Sequence, residues 1–321
     1  MNATLPSVTV VIAARPDQAE IKAVDAGKLL DYPRDKLDIL VARGKQPSVQ
    51  RNAAIRAARG ELIYFLDDDS VPLPENLDRA VETFADPKVK MFGGPNLCPS
   101  DAPFLEHVFA LVQSSYLAFF SSAARYASIG ILRRTSEKEL ILCNLIARRK
   151  DLLELGGFNE ALYPNEENAL MDGLQKRGGE LIYDPDFIVY RHPRGTLKSF
   201  AKMLLNYGRG RAEQVRLHPT LRSAPNFAPP LFVVYLLAAP FLGRTGIWPL
   251  LVYVLTVVLH TTLSSIRGGI AKKACAIPLI MLVHVLYGVG FWRGLFTPLK
   301  TGQGPGQGGP KIDVVLQNIP L

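Results

Sequence analysis

The sequence predicts an α/β domain on a mostly parallel sheet, followed by helices that enter a membrane. Three observations carry this. Short β-rich apolar runs alternate with helical runs through residues 8–92, the pattern of wound βαβ units. One run, Leu62 to Leu66, ends on three consecutive carboxylates, Asp67, Asp68 and Asp69. Apolar residues then accumulate after residue 226, which raises the mean hydropathy of a basic chain to +0.12.

Val8 to Ala13 reads as a buried strand, and Ala14-Arg15-Pro16-Asp17 turns out of it into a helix ending near Tyr32-Pro33. Leu37 to Val41 supplies a second strand, and Ser48 is placed to cap a helix that runs to the Gly60 stop. Leu62 to Leu66 has no polar alternation, as expected of a strand buried on both faces. A helix over Pro74 to Phe84 and a strand over Val89 to Phe92 follow. Pro103 to Ala127 reads as one long apolar helix, buried or lying on a membrane interface. Beyond it come a strand over Ile141 to Ala147, a short helix over Lys150 to Leu155, and a strand-like Leu181 to Val189 interrupted by Pro185.

Three adjacent anions repel and raise one another's pKa unless a cation offsets them. In open α/β sheets ligands sit at the carboxyl ends of strands. Asp67 and Asp69 therefore suit a divalent metal against a phosphorylated ligand, or a solvated turn leading to the next helix. A second acidic cluster, Asn165-Glu166-Glu167-Asn168, opens an amphipathic helix. It serves the helix dipole, or places a carboxylate to take a proton from a hydroxyl. Arg209 and Arg211, flanked by glycines, suit a diphosphate or a membrane-surface stripe.

The charge of +8 and the pI near 9.4 fit nucleic acid, anionic lipid or phosphorylated substrates, and the apolar C-terminal part favours membrane lipids over nucleic acid. Cys98, Cys143 and Cys275 lack metal-ligand spacing and imply a reduced, cytosolic setting. No signal peptide is expected at the N-terminus. Ile247 to Leu263 and Ala274 to Trp292 approach the roughly 20 apolar residues of a spanning helix, and Pro229 to Leu242 is marginal. Arg267, Lys272 and Lys273 put the loop between the last two on the cytoplasmic side. The expected organisation is a cytoplasmic domain over 1–225 that includes interfacial helices, two or three transmembrane helices over 226–297, and a flexible tail over 298–321. A cytoplasmic tail would require an even number of spans.

Taken in order, these pieces resemble the family 2 glycosyltransferases of the GT-A fold, in the membrane-bound branch similar to succinoglycan-type exopolysaccharide glycosyltransferases. The matching segments are Val11-Ile12-Ala13-Ala14-Arg15, Gln50 to Gly60, Tyr64 to Asp69, Gly156-Gly157-Phe158-Asn159-Glu160, Asn165 to Leu170, Tyr207 to Arg211 and His284 to Phe291. The resemblance implies an inverting enzyme of the cytoplasmic membrane, multi-pass, with its catalytic domain in the cytoplasm. It would move a sugar from a nucleotide-sugar donor to a lipid-linked saccharide or another lipid. Residue by residue, Asp69, with Asp67, would hold Mg²⁺ or Mn²⁺, and Glu167 would be the base with Glu166 as fallback. Ala13, Arg15, Arg51, Asp67, Asp68, Arg209 and Arg211 would bind the donor. Many relatives carry a base-reading Asp where this chain has Val41-Ala42-Arg43-Gly44-Lys45, so the resemblance leaves the nucleobase open and puts Arg43 and Lys45 on a phosphate or at the surface. A nucleotide-binding membrane scaffold or transporter subunit and a processive synthase are the competing readings. Gln214-Val215-Arg216-Leu217 does not match the Gln-x-x-Arg-Trp motif that the latter usually carries.

Overall fold

The structure is a computed structural model and describes residues 5–160, 162, 165–217, 221–264, 269–298 and 312–317. The chain divides into two compact units: Met1–Pro99, Ala124–Arg191 and Gly302–Leu321 form one, Ser100–Ala123 and His192–Thr301 the other.

In the first unit, strands β1 (Val8–Ala14), β2 (Leu37–Arg43) and β3 (Leu62–Asp67) alternate with helices α1 (Lys22–Lys28) and α2 (Pro47–Ala57). Short β4 (Val71–Pro72), helix α3 (Asn76–Thr83), β5 (Val89–Gly93) and β6 (Asn96–Leu97) follow. In the second unit, α4 (Phe104–Gln113) and α5 (Tyr116–Phe119) come next. The first unit resumes with β7 (Arg133–Thr135), β8 (Asn144–Arg148), α6 (Arg149–Leu155), α7 (Glu166–Lys176), β9 (Glu180–Tyr183) and β10 (Val189–Tyr190). Helices α8 (Leu197–Leu217), α9 (Ala228–Ala238), α10 (Ile247–Leu263) and α11 (Ile270–Phe296) belong to the second unit, and β11 (Asp313–Gln317) returns to the first.

Among the described residues the main sheet has eight strands in the order β11-β2-β1-β3-β8-β5-β9-β7, and β4-β10-β6 form a small second sheet. Strands β2, β1, β3, β5 and β9 run one way, whereas β11, β8 and β7 run against them. The sheet is therefore mixed, and the parallel expectation holds for its β2-β1-β3 heart. The apolar runs cannot report direction, because a strand buried on both faces looks the same either way. Both faces are covered. Val8, Val10, Ile12, Leu62, Tyr64 and Leu66 face one core, while Val11, Ile63 and Phe65 face the other.

Several boundaries differ from the sequence expectation for identifiable reasons. The segment over 103–127 breaks after Gln113, where Ser114 ends α4, and resumes as α5 and a 3-10 stretch, Phe120–Arg125. Helix α2 starts at Pro47, whose missing N–H suits a first turn, so Ser48 lies inside the helix and does not cap it. Pro185 splits the Leu181 to Val189 run into β9 and β10. Within the stretch expected to be a flexible tail, Val314, Val315 and Leu316 pair with β2, and Ile312 and Val314 pack against the core that contains Leu40, Ala42 and Ile55. Residues 299–311 lie outside the described residues.

In the second unit, α4 and α8 pack with α11, with Phe109 stacked on Phe200 at 4.3 Å. Gly208 of α8 lies against the Tyr287 carbonyl and Gly290 of α11 against the Leu205 carbonyl, spacings that admit no Cβ. Three segments, Ala224–Phe241, Gly243–Leu263 and Ile270–Phe296, are long and apolar enough to cross a membrane. The segments Ser100–Ala123 and His192–Leu217, counted from the sequence with the α/β domain, pack in this unit.

A buried polar network pins the sheet beside its carboxyl edge. The Tyr64 hydroxyl donates to Asn144 Oδ1 at 2.8 Å and accepts from Asn76 Nδ2 at 3.1 Å, and Asn144 Nδ2 donates to the Pro95 and Phe187 carbonyls at 3.1 and 2.7 Å. Asn144→Ala leaves these buried groups unpaired and is expected to cost about 3 kcal/mol of stability. Denaturant unfolding in detergent checks this, and a loss below about 1 kcal/mol would show that the network contributes little.

Candidate active site

Asp67 closes β3 opposite Ala13 of β1, and Ala13 in turn pairs with Ala42 of β2. The carboxylates thus emerge where three parallel strands end, the usual ligand edge of such a sheet. Helix α2 covers this edge and presents three consecutive buried polar residues to it. Gln50 donates to the Ala14 and Ala42 carbonyls at 2.7 and 2.6 Å, which ties the ends of β1 and β2. Asn52 accepts from Phe158 N–H at 2.8 Å and donates to the Phe158 carbonyl and to Glu160 Oε1 at 2.9 Å each. Gly157 permits that approach: its φ is +77°, and a Cβ there would collide with the Asn52 amide.

Arg51, between them, joins the two acidic clusters. Its Nη2 lies 3.1 Å from Asp67 Oδ1 and its Nη1 lies 3.3 Å from Glu166 Oε1. The Arg51 and Glu166 side chains are only 9% and 4% exposed. Arg191, just after β10, takes the other side: Nη1 is 3.0 Å from Asp67 Oδ2 and Nε is 2.5 Å from Asp69 Oδ1. Burial works against the charge of Arg191, but Asp67, Cys143 and Asp69 outweigh it and hold the guanidinium well above its usual range.

Glu166 opens α7, after Asn165 in a left-handed conformation (φ 100°) that few residues other than glycine adopt. Asn165 Oδ1 accepts from Asn168 Nδ2 at 3.0 Å. Burial, and then the charge of Glu167, push the Glu166 carboxyl up to about 8 against the pull of Arg51. Glu166 Oε2 is buried with no hydrogen-bond partner among the described residues. Glu167 shares the same helical turn and is half-buried.

The other expected residues fall as follows. Asp68 accepts Ala23 N–H through its carbonyl at 3.1 Å and so holds the start of α1. Arg15 has an exposed side chain, and its carbonyl accepts from Arg43. Arg43 also donates to the Gln18 carbonyl at 2.6 Å, so it braces the loop after β1. Arg209 and Arg211 lie on α8 in the second unit, where Arg209 Nε is 3.4 Å from Glu213 and Arg211 donates to Gln214 at 3.0 Å. Arg191 was not singled out from the sequence. Its one signal there was the Arg191-His192-Pro193-Arg194 run directly after a strand.

A divalent cation fits this donor set. Carboxylate oxygens are the ligands that Mg²⁺ and Mn²⁺ prefer. Asp69 is 40% exposed, is engaged through Oδ1, and the pair already draws a cationic group in Arg191. No cluster of three or more His, Cys, Asp or Glu residues suited to a metal occurs among the described residues, so donor and water would complete the shell.

The family model "Glycosyl transferase family 2" matches residues 27–135, which include β3 and its three carboxylates. Curated proteins similar to this chain are the "Pre-mycofactocin glycosyltransferase" proteins of two Mycobacterium tuberculosis strains, CDC 1551 / Oshkosh and ATCC 25618 / H37Rv. Each is 24% identical over 182 residues, 56% of this chain and 37% of the relative, so the chain matches little more than a third of their length. Among solved structures, a mannosyltransferase from Pyrobaculum calidifontis in complex with GDP-Man and Mn²⁺ is similar, with a TM-score of 0.54 and 18% identity over 91% of this chain and 88% of that one. The domain match and the curated relatives support a transferase, and the mannosyltransferase supports the GT-A fold.

The raised Glu166 gives the first unit a signed pH dependence. Between about 4.5 and about 8 the group is neutral when folded and ionised when unfolded, so folding loses ground as pH rises through that window. With divalent ions chelated, the wild-type unfolding midpoint is expected to fall across it relative to Glu166→Gln. Parallel courses for the two proteins would contradict the burial of this carboxyl.

Proposed function

We propose that the protein is an inverting, metal-dependent glycosyltransferase that moves one sugar from a nucleotide-diphosphate donor to a lipid-linked acceptor at the cytoplasmic membrane face, in exopolysaccharide or cell-envelope glycan synthesis. The observation that carries this reading is the joining of Asp67 and Glu166 by Arg51, which brings both acidic clusters to one edge of the sheet. The family 2 match over residues 27–135 supports the reaction class, and the three apolar segments support a lipid acceptor, since a soluble one would not need them. The GDP-Man and Mn²⁺ of the mannosyltransferase are in keeping with a nucleotide-sugar donor and a divalent ion.

Asp69 and Asp67 would hold Mg²⁺ or Mn²⁺, which when bound would offset the charge of the donor diphosphate. Glu167 takes the proton of the acceptor hydroxyl. The acceptor oxygen then bonds to the anomeric carbon as the bond to the diphosphate breaks, and the configuration inverts. Glu167 suits this role better than Glu166, whose carboxyl is buried, bonded to Arg51 and favoured in its neutral form. Glu166 positions Arg51 and the start of α7. Ala13, Arg15 and Asp68 line the donor edge.

Glu167→Gln and Asp69→Ala are each expected to lower sugar transfer in a membrane preparation by about 10²-fold or more, with Glu167→Gln leaving nucleotide binding intact. The measurement is release of nucleoside diphosphate with acceptor present. Either variant retaining wild-type turnover would refute the role given to its residue.

A further inference from the structure

We propose that Arg191 is the internal counter-ion of the metal-binding carboxylates, and that a divalent cation binds by displacing it. This rests on the reading of Asp67 and Asp69 as the cation site. The two arginines on Asp67 differ in what else they do. Arg51 is fixed, because it sits inside α2, is 9% exposed and also holds Glu166. Arg191 follows a two-residue strand, is 22% exposed, and reaches both Asp67 Oδ2 and Asp69 Oδ1. It occupies the acceptor oxygens on which a cation would draw. Two positive centres cannot share those oxygens at short range without strong repulsion, so the guanidinium swings away when the cation enters. Without a cation, Arg191 keeps Asp67 and Asp69 from repelling one another and holds the end of β3 in shape. The freed guanidinium then stands beside the donor diphosphate, an anion it can bind in bidentate fashion.

The test uses Mn²⁺ alone with the full chain in detergent, free Mn²⁺ being read by electron paramagnetic resonance. Arg191→Gln should bind Mn²⁺ about tenfold more tightly than wild type. Arg191→Lys, which keeps the charge, should stay near wild type, and Asp69→Asn should lose the site. Binding that needs Asp69 but is no tighter in Arg191→Gln overturns the counter-ion role and leaves the metal reading standing. Absence of Asp69-dependent binding overturns both. A readout in the wild type covers a variant that fails to fold: in protein labelled with ¹⁵Nε-arginine, Mg²⁺ should move the Arg191 resonance, identified by its loss in Arg191→Lys. A resonance that stays in place while Mg²⁺ binds overturns the proposal.

Strand β11 carries independent information about the membrane. It lies beyond the three apolar segments in sequence, yet pairs in register with β2, from Asp313 opposite Arg43 to Gln317 opposite Ile39. Hydrogen-bonded neighbours in one sheet cannot lie on opposite sides of a hydrocarbon layer. We infer that the chain crosses the bilayer an even number of times between Arg191 and Ile312, so at least one of the three segments does not cross it. The regular part of the first, α9, has 11 residues and rises only about 16 Å, against a hydrocarbon thickness of about 30 Å. In a background with Cys98, Cys143 and Cys275 replaced, single cysteines at exposed Glu75 and Asp313 should react with an impermeant maleimide from the same face of sealed vesicles. Labelling from opposite faces overturns the inference. Protease treatment of the same vesicles with unmodified protein gives the second reading: both regions should be cut, or both protected.

Discussion

The arrangement depends on one buried guanidinium. Arg51 binds a carboxylate that ends β3 and another that begins α7, 115 residues away from it in the chain. Removing Arg51 takes a cation from Asp67 and a hydrogen-bond donor from the buried Glu166, a truncation that costs about 3–5 kcal/mol where a buried charge is left without compensation. Arg51 therefore constrains the fold and the site together. Its neighbours make the constraint rigid, since Gln50 fixes the strand ends below and Asn52 fixes the 158–160 segment beside it. Three adjacent helical side chains thus hold three pieces of backbone that the sheet alone would leave free.

Electrostatics explains why arginine recurs at this edge. Asp67, Asp69 and Glu166 gather where burial weakens solvent screening, and each needs a cation or a proton. Arg51 and Arg191 supply positive charge to the aspartates, whereas Glu166, the most buried of the three, resolves the conflict by holding its proton. Glu167, one residue on, is half-buried rather than buried.

Much of this was legible in the sequence because its signals are local. The unbroken apolar run Leu62 to Leu66 followed by aspartates implies a strand buried on both faces with its polar end at an edge, and that is what β3 is. Gln50 to Gly60 and Asn165 to Leu170 carried the family resemblance, and both lie at the site. What escaped is set by long-range pairing. Strand direction leaves no trace in an apolar run, so β8 between β3 and β5 was not readable as antiparallel. The return of β11 depends on a partner some 270 residues earlier, and a Gly-rich stretch before it suggested a loose tail. Arg191 looked like one of several basic residues after a strand, and only its approach to Asp67 and Asp69 separates it from Arg194. Arg43 was expected on a phosphate or at the surface, and its bonds to the carbonyls of residues 15, 16 and 18 give it a bracing role that the sequence did not suggest.

The most direct test of the central claim is the anomalous scattering of Mn²⁺ in crystals of the protein grown with Mn²⁺ and a nucleoside diphosphate. The account predicts a peak within about 2.5 Å of an Asp69 oxygen, with the nucleotide on the sheet edge that α2 covers and the first turn of α7 facing it. A manganese peak away from Asp69, or a nucleotide bound where Arg51 and Glu167 cannot approach it, would contradict the account.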